Sequence, residues 1–203
     1  MKHLRLLLLI LIFLPASIYA AKDSVCEAPL KYEVLEKGSN TDDFLWITGD
    51  RKYNIYYKGA DVIVERKRKG TLWLVKGLSF ASYPHEEMYI DSAYFQNISE
   101  FPDKELIIKY SLFSLQPGTN AKSKHMMIVD INERKIVLNV ALYDFKIGAD
   151  ENGKVIDYLY EANVDVSLNL IKVESSEDSD IDNPATQLDD GIYHRRGHCF
   201  VKH

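Results

Sequence analysis

Apolar and polar residues alternate with a period of two along most of the chain after residue 50, which is typical of β-strands that bury one face. Three consecutive segments, residues 52–58, 62–64 and 71–75, show this pattern, with Gly59 and a basic turn at 66–70 between them. The turns are too short for crossover helices. The pattern therefore predicts a three-stranded antiparallel meander.

Longer apolar segments follow the meander, at residues 106–112, 126–131, 136–142 and 164–170. Most of the connections between them are rich in Gly, Pro, Asn or Asp, as expected for turns. The turn candidates are 116–120, 132–133 and 150–153. We expect about ten strands in an antiparallel all-β domain, arranged as a sandwich or as a barrel or propeller-like meander.

The best helix signals lie at residues 29–37. Pro29 suits a first helical turn, and Gly38 suits a helix end. The same residues also alternate between apolar and polar from Leu30 onward, as a strand would. The sequence therefore leaves both a short helix and a strand open here.

The first twenty residues have the plan of a cleavable signal peptide. Lys2 and Arg5 precede nine consecutive apolar residues, and small residues lead to Ala20. A membrane-spanning helix needs about 20 apolar residues, so this run is too short for an anchor. We expect cleavage after Ala20, periplasmic or secreted localisation, no membrane contact afterwards, and one all-β domain at 21–203.

The two cysteines, Cys26 and Cys199, lie near opposite ends of the mature chain. Exported proteins usually join such a pair, and closing so long a loop stabilises by roughly 5 kcal/mol in the chain-entropy model. We expect a disulfide that brings the first and last strands together.

The negative charge of the chain is concentrated in one segment. Removing a signal peptide with two basic residues from a chain of net charge −5 leaves −7, and residues 174–190 alone hold seven acidic residues and no Lys or Arg. This balance disfavours nucleic-acid binding, which needs a basic surface. We predict a long polar loop at 174–190 that binds a basic protein. The partner-binding candidates are Glu177, Asp178, Asp180, Asp182, Asp189 and Asp190.

Part of this acidic loop also matches a calcium-binding loop. Asp178, Asp180 and Asp182 stand at alternate positions, and Asp189 occupies the twelfth place of the motif. The match is partial, because Asn183 replaces the glycine of the sixth place and no helical pattern flanks the loop. Calcium, a basic protein partner and a solvated loop all remain open, and calcium is the one cofactor that the sequence suggests.

The C-terminal residues include a cluster of metal-ligand types, with His194, His198 and His203 beside Cys199. A cysteine joined to Cys26 cannot act as a thiolate ligand. A terminal strand with polar neighbours is therefore the favoured interpretation of this cluster.

Several enzyme signatures are absent from the sequence. It has no glycine-flanked nucleophilic serine and no phosphate-binding glycine loop, and Tyr89 stands where a zinc protease would carry its second histidine. A rival hypothesis is an enzyme that acts on cell-wall or glycan substrates. Its carboxylates would be chosen from Asp144, Asp157 and Asp165.

The sequence thus favours an exported protein-binding domain without catalytic residues. The leading hypothesis is a periplasmic inhibitor or immunity protein that blocks a basic enzyme or toxin through the acidic loop. A calcium-stabilised structural or adhesive module and the glycan-acting enzyme are the alternatives.

Overall fold

The computed structural model of the chain describes residues 24–36, 42–59, 61–75, 86–98, 105–114, 119–149, 155–167, 169–178 and 187–203. The predicted signal peptide lies outside these residues. The described part forms fifteen β-strands and contains no helix. Accordingly, no helix in these ranges is long and apolar enough to cross a membrane.

The strands are numbered in chain order. They are β1 (Ser24–Cys26), β2 (Ala28–Pro29), β3 (Glu33–Leu35), β4 (Leu45–Gly49), β5 (Tyr53–Lys58), β6 (Asp61–Arg66), β7 (Thr71–Val75), β8 (Glu86–Gln96), β9 (Glu105–Ser114), β10 (Thr119–Asp130), β11 (Lys135–Ala149), β12 (Val155–Ser167), β13 (Leu170–Asp178), β14 (Gly191–Arg196) and β15 (Cys199–Lys202).

The strands form two antiparallel sheets. The smaller sheet has the order β3-β7-β6-β5-β4, which contains the predicted meander of β5, β6 and β7. The larger sheet has the order β1-β15-β14-β13-β12-β11-β10-β9-β8, with β2 paired to β11. Within the described residues the larger sheet ends at β1 and β8, so it is not a closed barrel. The antiparallel all-β prediction is confirmed.

Two hydrophobic cores lie on opposite faces of the central strands β9, β10 and β11. The first joins these strands to the smaller sheet, and Leu106 and Ile108 belong to the same cluster as Trp73. The second joins them to β13, β14 and β15, with Ile107 among its members. The central strands are therefore buried on both faces, which explains why their apolar runs are nearly continuous.

The two cysteine-bearing strands meet as the sequence predicts. Strand β1 pairs with β15, and Cys26 forms a disulfide with Cys199 directly across the ladder. The side chain of the neighbouring Glu27 is 7% exposed and contacts Arg195 and His198. Burial disfavours ionisation, but the hydrogen bonds with His198 and Arg195 hold the pKa of Glu27 below its usual value. The disulfide indicates an oxidising compartment outside the cytoplasm.

The structure decides between the two alternatives at residues 29–37 and corrects two other expectations. Within the described part of this segment, 29–36, Pro29 ends β2 against Lys135 and β3 pairs with β7, so the strand alternative is the observed one. The described residues form fifteen strands rather than about ten, because several are too short to show a period. The acidic loop begins later than residue 174, because Glu174 to Asp178 continue β13 against β12.

Candidate functional site

An open groove on strands β11, β12 and β13 is lined by residues from both ends of the acidic segment, residues 174–190. Its volume is about 540 Å³. We call it the acidic groove, and its lining consists of Leu142, Tyr143, Glu161, Ala162, Asn163, Glu174, Ser175, Ser176 and Asp190. Three of these residues carry carboxylates, and none of the described lining residues is a lysine or an arginine.

The register of the sheet puts the polar groove residues on one face. Glu161 of β12 lies opposite Tyr143 of β11 on one side and Ser176 of β13 on the other. Two residues along, Asn163 lies opposite Glu174. Residues paired across an antiparallel ladder point to the same face, so these side chains form one continuous surface. Glu161, Asn163 and Glu174 are all exposed on it.

A lysine of β13 offsets part of the groove's charge from outside the lining. Lys172 Nζ lies 2.5 Å from Glu174 Oε1. This hydrogen bond and the attraction of the lysine lower the pKa of Glu174, and the same contact raises the pKa of Lys172, with Asp190 contributing. Three carboxylates against one lysine leave the groove negative at neutral pH.

Buried hydrogen bonds anchor the C-terminal end of the acidic segment. Leu188 is 1% exposed; its carbonyl oxygen accepts a hydrogen bond from the Tyr160 hydroxyl at 2.8 Å, and its N–H donates to the same hydroxyl at 3.2 Å. Next to it, Gln187 Nε2 donates to Asp144 Oδ2 at 2.9 Å. We call Asp144, Tyr160, Gln187 and Leu188 the loop anchor. It fixes the chain that leads directly to Asp190.

The carboxyl group of Asp144 sits in an environment unlike that of the groove. Burial raises its pKa, and the hydrogen bond from Gln187 and the charge of Lys146 lower it in part. The net direction is upward. The burial penalty on this carboxylate therefore exceeds the stabilisation that its two neighbours supply.

A serine, a histidine and this aspartate lie close together without forming a catalytic triad. His125 Nε2 lies 2.9 Å from Ser123 Oγ, and Ser123 stands opposite Asp144 across β10 and β11. In a triad the acid holds the other ring nitrogen. Here Nδ1 has no hydrogen-bond partner among the described residues, and Asp144 binds Gln187 instead. Burial lowers the pKa of His125 to about 4, so the ring is neutral at pH 7.

The predicted partner-binding residues are only partly described. Glu177 and Asp178 end β13, where their backbones pair with Tyr160 and Leu159. Asp190 lines the acidic groove, and Asp189 precedes it. The other two predicted residues, Asp180 and Asp182, lie outside the described residues.

The predicted metal sites remain predictions. Within the described ranges no three His, Cys, Asp or Glu side chains are grouped closely enough to hold an ion. The calcium hypothesis relies on Asp180 and Asp182, which are not described. At the C-terminus, the rings of His194 and His203 lie edge to face at 5.3 Å, and Cys199 is in the disulfide.

The structure does not bring together the three carboxylates of the rival enzyme hypothesis. Asp144 pairs with Tyr160, whereas Asp157 and Asp165 occupy the alternate positions of β12 and so point to its other face. Eight residues separate the latter two, which is about 26 Å along a strand. No two of these carboxylates share a site of the kind that glycoside hydrolysis needs.

The sequence pattern missed the β12 side of the groove and the loop anchor. Glu161 and Asn163 are the exposed positions of an alternating strand, and nothing in the sequence shows which strand lies beside them. Leu188 gave a usable signal, because it is an isolated leucine in a polar, acidic segment. An apolar residue in that context is typical of a point where a loop returns to the core.

Comparisons with known proteins identify no relative. No family model matches the chain, and neither the curated proteins nor the solved structures give a match.

Proposed function

We propose that this protein is an exported binding protein that captures a basic partner protein at the acidic groove. The observation that carries the proposal is the lining of the groove, which has three carboxylates and no basic side chain among the described residues. A lysine or arginine of a partner would supply the charge that the groove lacks.

The groove has the chemistry to hold a long cationic side chain. Glu161, Glu174 and Asp190 offer carboxylate oxygens to an ammonium or guanidinium group, and the Tyr143 ring adjoins Glu161. An aromatic ring beside carboxylates adds a favourable cation–π contact and an apolar surface for the methylene groups. Clustered negative charge also accelerates the encounter with a positively charged protein.

The loop anchor supports this role by reducing the entropy that binding must overcome. Leu188 and Gln187 are held in the interior, so the backbone at Asp190 is positioned before any partner arrives. Pre-organised contacts bind more tightly than contacts that must first be ordered.

The most specific form of the proposal is a periplasmic inhibitor or immunity protein. The disulfide supports an oxidising compartment, and the predicted signal peptide supports export. Such a protein would block a basic enzyme or toxin by placing the acidic groove and the loop over a positively charged cleft. A fold with a disulfide between its terminal strands and with two hydrophobic cores suits a rigid inhibitor.

Affinity capture from a periplasmic extract tests the proposal. The wild-type mature protein is immobilised beside a groove variant, Glu161→Gln with Asp190→Asn, and a control variant, Asp43→Asn with Glu133→Gln. Both variants remove two exposed carboxylates, and only the first pair lines the groove. We expect the wild type and the control to retain the same basic protein and the groove variant to lose it.

Equal retention by all three proteins would contradict binding at the groove. Retention that both variants weaken equally would indicate an unspecific effect of net charge, and it would also contradict the proposal.

A further inference from the structure

The disulfide lies on the solvent face of the larger sheet, at the end formed by β1. Cys26 ends β1 and Cys199 begins β15, and the two residues are paired across the ladder. Their neighbours Val25 and Phe200 pack into the second core, so the cysteines point to the opposite face. Cys26 is exposed and Cys199 is partly buried. From solution, the bond is therefore more accessible at Cys26.

An arginine adjoins the less exposed of the two cysteines. Arg196 ends β14 and pairs with Cys199, so the two side chains leave the same face about 5 Å apart. The nearby carboxylate of Glu27 is bonded to Arg195 and His198. A cation beside a sulfur stabilises the thiolate and makes it a better leaving group. Arg196 therefore favours cleavage in which Cys199 keeps the electron pair.

We propose that this disulfide is a thiol-exchange site of the folded protein, where a dithiol attacks Cys26 and Cys199 leaves. The thiolate of the dithiol bonds to Cys26 Sγ as the bond between the cysteines breaks. The electron pair of that bond stays on Cys199, which then takes a proton from water. The second thiol of the dithiol loses its proton and attacks the dithiol's own sulfur in the mixed disulfide, which releases Cys26 as a thiolate. The dithiol is oxidised to a disulfide, and the protein is reduced to two thiols.

Contacts other than the disulfide hold β1 in place, so exchange does not require unfolding. Ser24 and Val25 pair with β15, and Val25 also packs against the second core. The N–H of Glu27 donates to the carbonyl oxygen of His198 at 2.8 Å, and its carboxylate lies 3.7 Å from Lys135 Nζ. Opening the disulfide breaks none of these contacts. The reduced protein should therefore keep its fold, with the two thiols side by side.

A thiol–disulfide oxidoreductase with an exposed dithiol is the class of partner that this chemistry fits. Attack needs a thiolate, and release of the mixed disulfide needs a second thiol close to the first. The proposal is independent of the function proposed for the acidic groove, because neither cysteine lines the groove and Arg196 does not line it either. Variants at the disulfide leave the groove residues in place.

Reduced glutathione identifies the attacked sulfur. The mature wild-type protein is mixed with glutathione without denaturant, quenched at early times with N-ethylmaleimide, digested and mapped by mass spectrometry. We expect glutathione on Cys26 and N-ethylmaleimide on Cys199, in about tenfold excess over the reverse arrangement. Glutathione mainly on Cys199, or equally on both cysteines, would overturn the proposal.

Arginine variants test the leaving group. In dithiothreitol without denaturant, Arg196→Gln should be reduced about threefold to tenfold more slowly than the wild type, and Arg196→Lys should keep most of the wild-type rate. Arg68→Gln is the matched control, because Arg68 is exposed in the turn between β6 and β7. Equal rates in Arg196→Gln and the wild type would contradict the proposal, and so would an equal slowing in Arg68→Gln.

Circular dichroism during the same reduction tests whether exchange occurs in the folded protein. We expect the β-sheet signal of the wild type to persist after both thiols are free. A signal that is lost as the disulfide opens would overturn the proposal, because reduction would then accompany unfolding. A disulfide that dithiothreitol reduces only in denaturant would overturn it as well.

Discussion

The loop anchor and the acidic groove occupy the two faces of the same strand. On one face of β12, Tyr160 is buried and bonded to Leu188; on the other, Glu161 is exposed among carboxylates. The anchor consists of hydrogen-bonded side chains in the interior, with Gln187 Oε1 left without a hydrogen-bond partner among the described residues, and the groove consists of charged groups in solvent. The difference separates the residues that hold the acidic segment from the residues available to a partner.

The ionisable groups of the two regions respond to their surroundings in opposite ways. Burial raises the pKa of Asp144 in the anchor and lowers that of the nearby His125, so each favours its neutral form. In the groove the contact with Lys172 lowers the pKa of Glu174, which favours the charged form. We expect changes in the anchor to alter stability and changes in the groove to alter binding.

The largest effect on stability is expected from Leu188→Ala. The side chain is almost fully buried in the second core, and removing it leaves a cavity. The free energy of unfolding should fall by about 3–4 kcal/mol, measured by urea denaturation. Ile192→Ala, at an exposed position, is the control and should change it by less than about 0.5 kcal/mol. Equal effects would contradict a buried anchor.

The next effect is a pH dependence that originates at His125. Its pKa falls from 6.5 to about 4 on folding, so the unfolded chain binds more protons between these values. The histidine's contribution to stability is fully present above pH 6.5 and is lost as the pH falls towards 4, an effect on the order of 3 kcal/mol.

His125→Gln should remove this part of the pH profile, as measured by denaturation at a series of pH values. An unchanged slope in the variant would show that other groups are responsible.

A smaller loss is expected from Tyr160→Phe. The substitution keeps the ring and removes the hydroxyl that bonds to both the N–H and the carbonyl oxygen of Leu188. Leaving buried backbone groups unsatisfied should lower the free energy of unfolding by about 1–2 kcal/mol in thermal or urea denaturation. Tyr94→Phe, at an exposed tyrosine, is the matched control and should have no measurable effect.

Much of the fold follows from the sequence. The central strands show what the alternating pattern does not predict. The alternation in residues 53–64 and 106–112 identifies one buried face, and both segments are strands in the first core. The same pattern does not predict that Ile107 and its neighbours build a second core on the opposite face. That core depends on which distant strands pack there, and local periodicity contains no such information.

The candidate site was predictable in charge but not in geometry. The seven acidic residues of 174–190 indicate a cation-binding region, and Asp190 lines the groove. Glu161 enters the site only through the register of β12 and β13. The extension of β13 to Asp178 was also hidden, because acidic residues favour loops unless a neighbouring strand supplies hydrogen bonds.

The smallest effect on stability is expected from substitutions in the groove. Their main effect should be on binding. Glu161→Gln with Asp190→Asn should change the free energy of unfolding by no more than about 0.5 kcal/mol, because both side chains lie at the groove surface. Calorimetric titration with a tetralysine peptide at low ionic strength is the most direct measurement of the proposed binding. We expect the groove variant to bind about tenfold more weakly than both the wild type and the Asp43→Asn, Glu133→Gln control. Equal affinity of the groove variant and the wild type would contradict cation binding at this site.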